Sequence, residues 1–324
     1  MTRSPDRRGV LRIGTRGSRL ALIQAEMAKA ALQSAHEHLR AADAIEIVPI
    51  RTTGDREQGR LLSEIGGKGL FAKEIEEALR GGRIDLAVHS MKDMETQLAT
   101  GLVIGAMLPR EDARDTLIVR NDRAHQFRGI ADLPEGARIG TASIRRSAQL
   151  LALRPDLETV LLRGNVETRL AKLEAGVADA TLLAMAGLVR LGLDPLPGTP
   201  LEPSEMLPSA GQGAIGIEIR ADDPEMAALL VPIDDRPTRI AVEAERACLA
   251  GLDGSCQTPL AAYAVPTGRE NWHIRALIAL PDGSEIHRAE GHATGPEAAK
   301  MGANLAARLR AEAGPAFLAK LELT

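Results

Sequence analysis

Aromatic side chains are nearly missing from this sequence: one Trp, one Tyr and three Phe in 324 residues. Proteins that hold single-stranded nucleic acid stack bases on aromatic rings, so the scarcity argues against that class. A basic excess is missing as well, since the net charge is −4, and a phosphate-backbone partner is not expected. Two cysteines, Cys248 and Cys256, are too few for a disulfide framework. No stretch approaches the roughly 20 apolar residues of a membrane span. The charged N-terminal segment also lacks the apolar stretch of a signal peptide. Together these absences lead us to expect a reduced, cytoplasmic protein that binds neither membrane nor nucleic acid. The last scarcity is lysine: of 40 basic residues, 7 are Lys and 33 are Arg. A GC-rich genome accounts for such a ratio, but not for arginines standing beside glycines and hydroxyls at element ends. The Arg fork suits bidentate binding of carboxylate or phosphate. A mildly acidic chain with local Arg clusters points to an internal site for a multiply anionic small molecule.

What is present is an alternation. "VLRIGTRGSRLALIQ" predicts a short strand, a Gly-Ser turn and a helix from about Ser18; "IEIVPIRT" predicts a second strand. "GLFAKEIEEALRGG" predicts a helix closed by glycines, and "IDLAVHS" a buried strand with a polar end. The cycle restarts at "ARIGTASIRRSAQLLALRPD" and continues through "ETVLLRGNVETRLAKLEAG" and "ADATLLAMAGLVRLGL". Alternation of this kind predicts two α/β domains with largely parallel sheets. Segments 108–115 and 207–219 read as crossings between them, the second running into a strand. From about Asp234 the pattern becomes a helix, a cysteine loop, two strands and a final helix, a small α+β domain. The expected domains are 1–112 with 212–232, then 113–211, then 233–324. Two α/β domains joined by two crossings form a hinged clamp with its cleft at strand C-termini and helix N-termini.

Several segments at that cleft carry polar side chains. "GTRGSRLA" and "GTASIRRSA" each offer backbone N–H groups at a helix start, hydroxyls, and arginines in or beside the first turn. Arginine there opposes the helix dipole, a conflict that a bound anion removes; N-cap serines with solvated arginines are the plainer alternative. In "LLRGNVETRL", Arg163 ends a strand, Gly164 and Asn165 turn, and Arg169 lies in the next helix; "GLVRLGL" adds Arg190. "EIGGKGLFAKE" lacks the spacing and hydroxyl of a nucleotide phosphate loop and reads as a mobile glycine loop. In "DLAVHSMKDMET", His89, Ser90, Lys92 and Asp93 follow a buried strand. A carboxylate beside a lysine at a cleft mouth can stabilise a cation and carry a proton, whereas a solvated turn is the bland alternative. The seven histidines are scattered, so no metal site is expected. Cys248 falls in phase with Val242 and Leu249 of a helix and reads as core. Cys256, in "GLDGSCQTPL", sits among turn-forming residues, and an exposed thiol suggests nucleophilic catalysis or covalent attachment of a group.

Taken in order, "IGTRGSRLAL", "GGKGLFAKEIE", "AVHSMKD", "REDARD", "GTASIRRSAQL", "LRGNVETRL", "AGLVRLGL", "AGQGAIGIE" and "GSCQTPL" resemble the porphobilinogen deaminase family over about residues 10 to 320. The resemblance implies three domains, two of them like a periplasmic binding protein and joined by hinges, plus a small C-terminal α+β domain. It implies head-to-tail condensation of four porphobilinogen molecules into hydroxymethylbilane with release of ammonia. It further implies a dipyrromethane cofactor joined to Cys256 by a thioether, a monomer, and Asp93 as the catalytic aspartate. The cofactor- and substrate-binding positions it implies are Arg16, Ser18, Ser90, Lys92, Thr141, Ser143, Arg145, Arg146, Arg163, Gly164, Asn165, Arg169, Arg190 and Gln212. Lys68 would stand on the glycine loop above the pocket. Met94, Glu95, Ala142 and Ser255 depart from the family's usual residues and leave those side chains in place. A clamp that captures anions without chemistry, or a thiol-dependent hydrolase or transferase, would be the rival readings.

Overall fold

The computed structural model describes residues 9–53, 72–120, 129–193, 198–252 and 258–322. The chain opens with β1 (Leu11–Arg16), α1 (Arg19–Ala35) and β2 (Ile45–Ile50). Ser18 caps α1 by accepting a hydrogen bond from the Ala21 N–H, and Ala25, Ala28 and Leu32 on one helix face are buried against the sheet. Next come α2 (Lys73–Arg80), β3 (Leu86–Ser90), a single 3-10 turn over Met91–Asp93, and β4 (Leu102–Met107). After a crossing, the chain forms β5 (Asp115–Val119), β6 (Arg138–Thr141), α3 (Ile144–Leu153), β7 (Glu158–Leu161), α4 (Val166–Glu174), β8 (Ala180–Ala184), α5 (Met185–Arg190) and β9 (Gly198–Pro200). It returns through β10 (Ile215–Arg220) and α6 (Pro224–Leu230). The last elements are α7 (Arg236–Gly251), β11 (Leu260–Pro266), β12 (Asn271–Ala279), β13 (Ile286–Thr294) and α8 (Ala298–Glu322).

The first two sheets follow one plan. In the order β2-β1-β3-β10-β4, the first three strands are parallel and β10 runs antiparallel to both neighbours. In the order β7-β6-β8-β5-β9, again three strands are parallel and the fourth, β5, is antiparallel. Each antiparallel strand is the one that has just crossed from the other sheet, so the two halves are sewn together by an exchanged strand. That gives two lobes of like plan joined by two crossings, as expected from the alternation of strands and helices. β3 and β8 are buried on both faces, which explains their near-continuous apolar runs.

The third sheet, β11-β12-β13, is antiparallel and backs onto α7 and α8. Those helices approach closely: a Cβ on Gly302 would collide with the Ala244 carbonyl, so only glycine fits there. Cys248 lies inside this core, and burial pushes its thiol up to about 12, so it stays protonated and inert. The crossings fall where the sequence places them, and the final unit is α+β but carries three strands where the sequence reading gave two. Five elements had no sequence reading: β4, β5, β9, β11 and α6. The helix read from about Asp234 starts at Arg236, where Asp235 caps it through the Thr238 N–H and a proline occupies its first turn.

Candidate active site

Two strand ends of the first sheet and two helix starts of the second converge on the cleft. β1 delivers Arg16 at its C-terminal end, and β3 delivers Ser90, Lys92 and Asp93 through the 3-10 turn. An Arg16 Nη1 stands 4.0 Å from Asp93 Oδ2, and both side chains are partly accessible. Ser90 is held by Gln24 of α1, which donates Nε2–H to the hydroxyl at 2.9 Å and accepts from it at 3.0 Å. Lys92 is half-buried. Burial chiefly lowers its ammonium to about 8; Arg146 and Arg145 push the same way, while Asp93 and Asp115 oppose them.

On the facing side, Thr141 ends β6 and accepts from the Ser143 N–H at 3.1 Å, and Ser143 caps α3. The two arginines that follow are buried. Arg145 donates Nη1–H to the Leu207 carbonyl at 2.7 Å and Nη2–H to Asp115 Oδ2 at 2.8 Å. Arg146 donates Nη1–H to the Leu182 carbonyl and Nη2–H to Asp115 Oδ1, both at 2.8 Å. The anion expected at this helix start is therefore partly an internal one, the carboxylate of Asp115. At the start of α4, Gly164 adopts φ 126°, and a Cβ there would strike Thr168. Asn165 caps the helix through the Thr168 N–H at 2.8 Å. Arg169 donates Nε–H to the Gly164 carbonyl at 2.9 Å. Burial first, then Arg146 and Arg163, lower the Arg169 guanidinium to about 10, and Asp93 across the cleft raises it.

The structure thus brings Arg16, Lys92 and Asp93 of one half into the field of Arg146, Arg163 and Arg169 of the other. It gives Ser18, Ser143 and Asn165 the work of helix caps. Arg190 and Gln212 reach the crossings instead: Arg190 Nη2–H donates to the Gly213 carbonyl at 2.7 Å, and Gln212 Nε2–H donates to Ala113 at 2.7 Å and Asp115 at 2.8 Å. Lys68 and Cys256 lie outside the described residues. Among the residues that sequence reasoning passed over are Gln24, Asp115, Arg110 and Glu245. Asp115 did leave a trace, a charged residue opening the apolar run "DTLIV".

Residues 11–228 match the porphobilinogen deaminase, dipyromethane cofactor binding domain, and residues 239–311 match the porphobilinogen deaminase, C-terminal domain. The chain belongs to the porphobilinogen deaminase family. It is 53% identical over 317 residues to a porphobilinogen deaminase of Paracoccus denitrificans (strain Pd 1222), covering 98% of this chain and 99% of that one. It is also 53% identical over 310 residues to one of Sphingopyxis alaskensis (strain DSM 13593 / LMG 18877 / RB2256), covering 95% of each. Among solved structures it is similar to an ancestral cationic amino acid solute binding protein, with 20% identity and a TM-score of 0.41 over 69% of this chain and 87% of that one.

A porphobilinogen deaminase carries a dipyrromethane, whose acetates and propionates make it strongly anionic, and the residues here fit such a group. At Arg146 (Nε), Arg163 (Nη1) and Arg190 (Nε), a buried nitrogen has no acceptor among the described residues. Buried donors without acceptors are costly, at about 1–3 kcal/mol each, and a bound carboxylate removes that cost. Lys92 and Arg169 are lowered chiefly by burial, with neighbouring arginines pushing the same way, and a bound carboxylate would offset both effects.

Proposed function

We propose that Asp93 is the catalytic carboxylate of a hydroxymethylbilane-forming transferase, and that the arginines around it hold the carboxylates of porphobilinogen and of the growing chain. The observation that carries this reading is the meeting of one partly accessible carboxylate, Asp93, with cations from both lobes: Arg16 at 4.0 Å and Arg169 across the cleft. A ligand without carboxylates would leave these cations without counter-charges. A tetracarboxylate would supply them, at roughly 1.5–3 kcal/mol per charge-assisted hydrogen bond.

When bound through Cys256, the dipyrromethane supplies the pyrrole carbon from which elongation starts. The chain's own residues do the rest. Arg16, Lys92, Arg146, Arg163 and Arg169 orient acetates and propionates. Thr141 and Ser143 add polar groups beside them, and Ser90, fixed by Gln24, presents its hydroxyl to the same pocket. As the C–N bond of porphobilinogen breaks and ammonia leaves, positive charge spreads over its pyrrole ring. The Asp93 carboxylate stabilises that charge and accepts the ring N–H hydrogen bond. It then takes the proton released when the new carbon–carbon bond forms. In this reading residues 1–112 with 212–232, 113–211 and 233–324 move as three domains of a cytoplasmic monomer. Among the described residues, no helix is long and apolar enough to cross a membrane.

Intact-protein mass spectrometry tests the attachment: the purified chain should carry the mass of two linked pyrrole units, and Cys256→Ala should lack it. An active chain of unmodified mass would overturn the assignment.

A further inference from the structure

Asp115 is fully buried at the first position of β5, and its two oxygens meet three donors from two parts of the chain, the first turn of α3 and the returning crossing. Oδ2 accepts from Arg145 at 2.8 Å, and Oδ1 accepts from Arg146 at 2.8 Å and from Gln212 Nε2–H at 2.8 Å. Gln212 belongs to the returning crossing and also grips the outgoing one at the Ala113 carbonyl. Both arginines spend their other terminal nitrogen on backbone carbonyls, of Leu207 and Leu182. What Arg146 retains is a buried Nε–H with no acceptor among the described residues.

We infer that Asp115 is a positioning residue for carboxylate binding: it locks the Arg146 guanidinium so that its Nε–H faces the ligand, and it ties that orientation to the crossing strands through Gln212. This rests on the site reading given above. Two guanidinium groups in the first turn of a helix repel each other and oppose the helix dipole. Without a shared counter-ion they would splay apart. A carboxylate is acceptor-only and can serve both forks and the amide at once. Asparagine has the same shape but a single acceptor oxygen, and its NH2 would face N–H donors. Being fully buried, Asp115 does not reach substrate; it acts through Arg146. Its negative charge also supports the Lys92 ammonium against the two arginines.

The test uses the full chain carrying its cofactor. In Asp115→Asn, the KM for porphobilinogen should rise at least ten-fold while kcat falls less. Nitrogen-15 NMR of arginine Nε–H groups should show the ordered Arg146 signal of the parent chain broadened or lost. A core variant of β6, Ile139→Ala, chosen to lose as much melting temperature, should leave both readouts in place; if it moves them equally, Asp115 is a stability residue only and the inference fails. It also fails if a folded Asp115→Asn keeps the parent KM and the parent Nε–H spectrum. Should Asp115→Asn not fold, Gln212→Leu removes one of the three bonds and should raise KM in the same direction by a few-fold. An unchanged KM there would overturn the inference. A parent chain that does not consume porphobilinogen would sink the site reading instead, and the NMR comparison would still decide the role of Asp115.

Discussion

Asp93 and Lys92 are neighbours in sequence, yet charge removal should act differently at each. Asp93→Asn keeps the volume and removes the carboxylate, so turnover should fall by about 10²–10⁴, the usual contribution of a positioned acid–base group. Cofactor mass should persist, since the arginines are untouched; near-parental turnover would move the catalytic role elsewhere. Lys92 predicts a pH effect. Its ammonium is lowered to about 8 in the folded chain, chiefly by burial, against an ordinary value of 10.5. Carboxylate binding should therefore weaken as pH rises through 8, seen as a rising KM. Between about 8 and 10.5 the unfolded chain holds a proton that the folded chain has shed, so this group's contribution to stability rises with pH over the same window. Lys92→Met should raise KM at neutral pH, flatten the alkaline rise, and increase the melting temperature at pH 7. A parental pH profile in Lys92→Met would refute the assignment. At this scale the motifs exposed the side chains that end strands and open helices, because local spacing carries them. Asp115 escaped, since its partners lie 30 and 31 residues away at the arginines and 97 away at Gln212.

Among the elements, the turn from β7 into α4 is the most constrained. Gly164 sits at φ 126° with Thr168 where a Cβ would go, and the same turn sets Arg163 and Arg169. Gly164→Ala should cost about 1–3 kcal/mol, the range for a residue forced into a sparsely populated backbone region. Calorimetry would read it as a lowered melting temperature, and a higher KM should accompany it. An alanine variant with parental melting and kinetics would mean that the turn relaxes freely. Helix starts were legible because caps are local: Ser18, Ser143 and Asn165 each precede an apolar-periodic run and each bonds the N–H three residues on. Strand β11, "LAAYAVP", was not legible because its alanine-rich composition favours helix, and pairing with β12 overrides that preference. β9 is three residues ending in proline, an edge strand too short to show a period.

Over the whole molecule, the question is what joins the lobes to the C-terminal unit, and magnitudes choose between two ion pairs. Arg19 of α1 meets Glu167 of α4 at 3.4 Å across the cleft, but the side chains are 60% and 37% exposed. Such a pair contributes about 0–1 kcal/mol and is screened by salt. Glu245 of α7 is fully buried. It accepts from Arg110 of the outgoing crossing at 2.6 and 3.1 Å, from the Gly211 N–H of the returning crossing at 2.7 Å, and from the Ala264 N–H of β11 at 2.8 Å. Arg110 in turn donates Nε–H to the Gln212 carbonyl at 2.9 Å, beside the amide that holds Asp115. One carboxylate thus fastens both crossings to the third sheet. Removing one partner of a buried pair leaves an uncompensated charge and unpaired backbone donors, at about 3–5 kcal/mol. That is a large share of the roughly 5–15 kcal/mol that keeps a typical protein folded. Glu245→Ala should lower the urea midpoint sharply, whereas Arg19→Glu should shift it by an amount that vanishes in high salt. If the two variants unfolded at the same midpoint, the junction would not depend on the buried carboxylate, and the crossings would have to be held by packing alone.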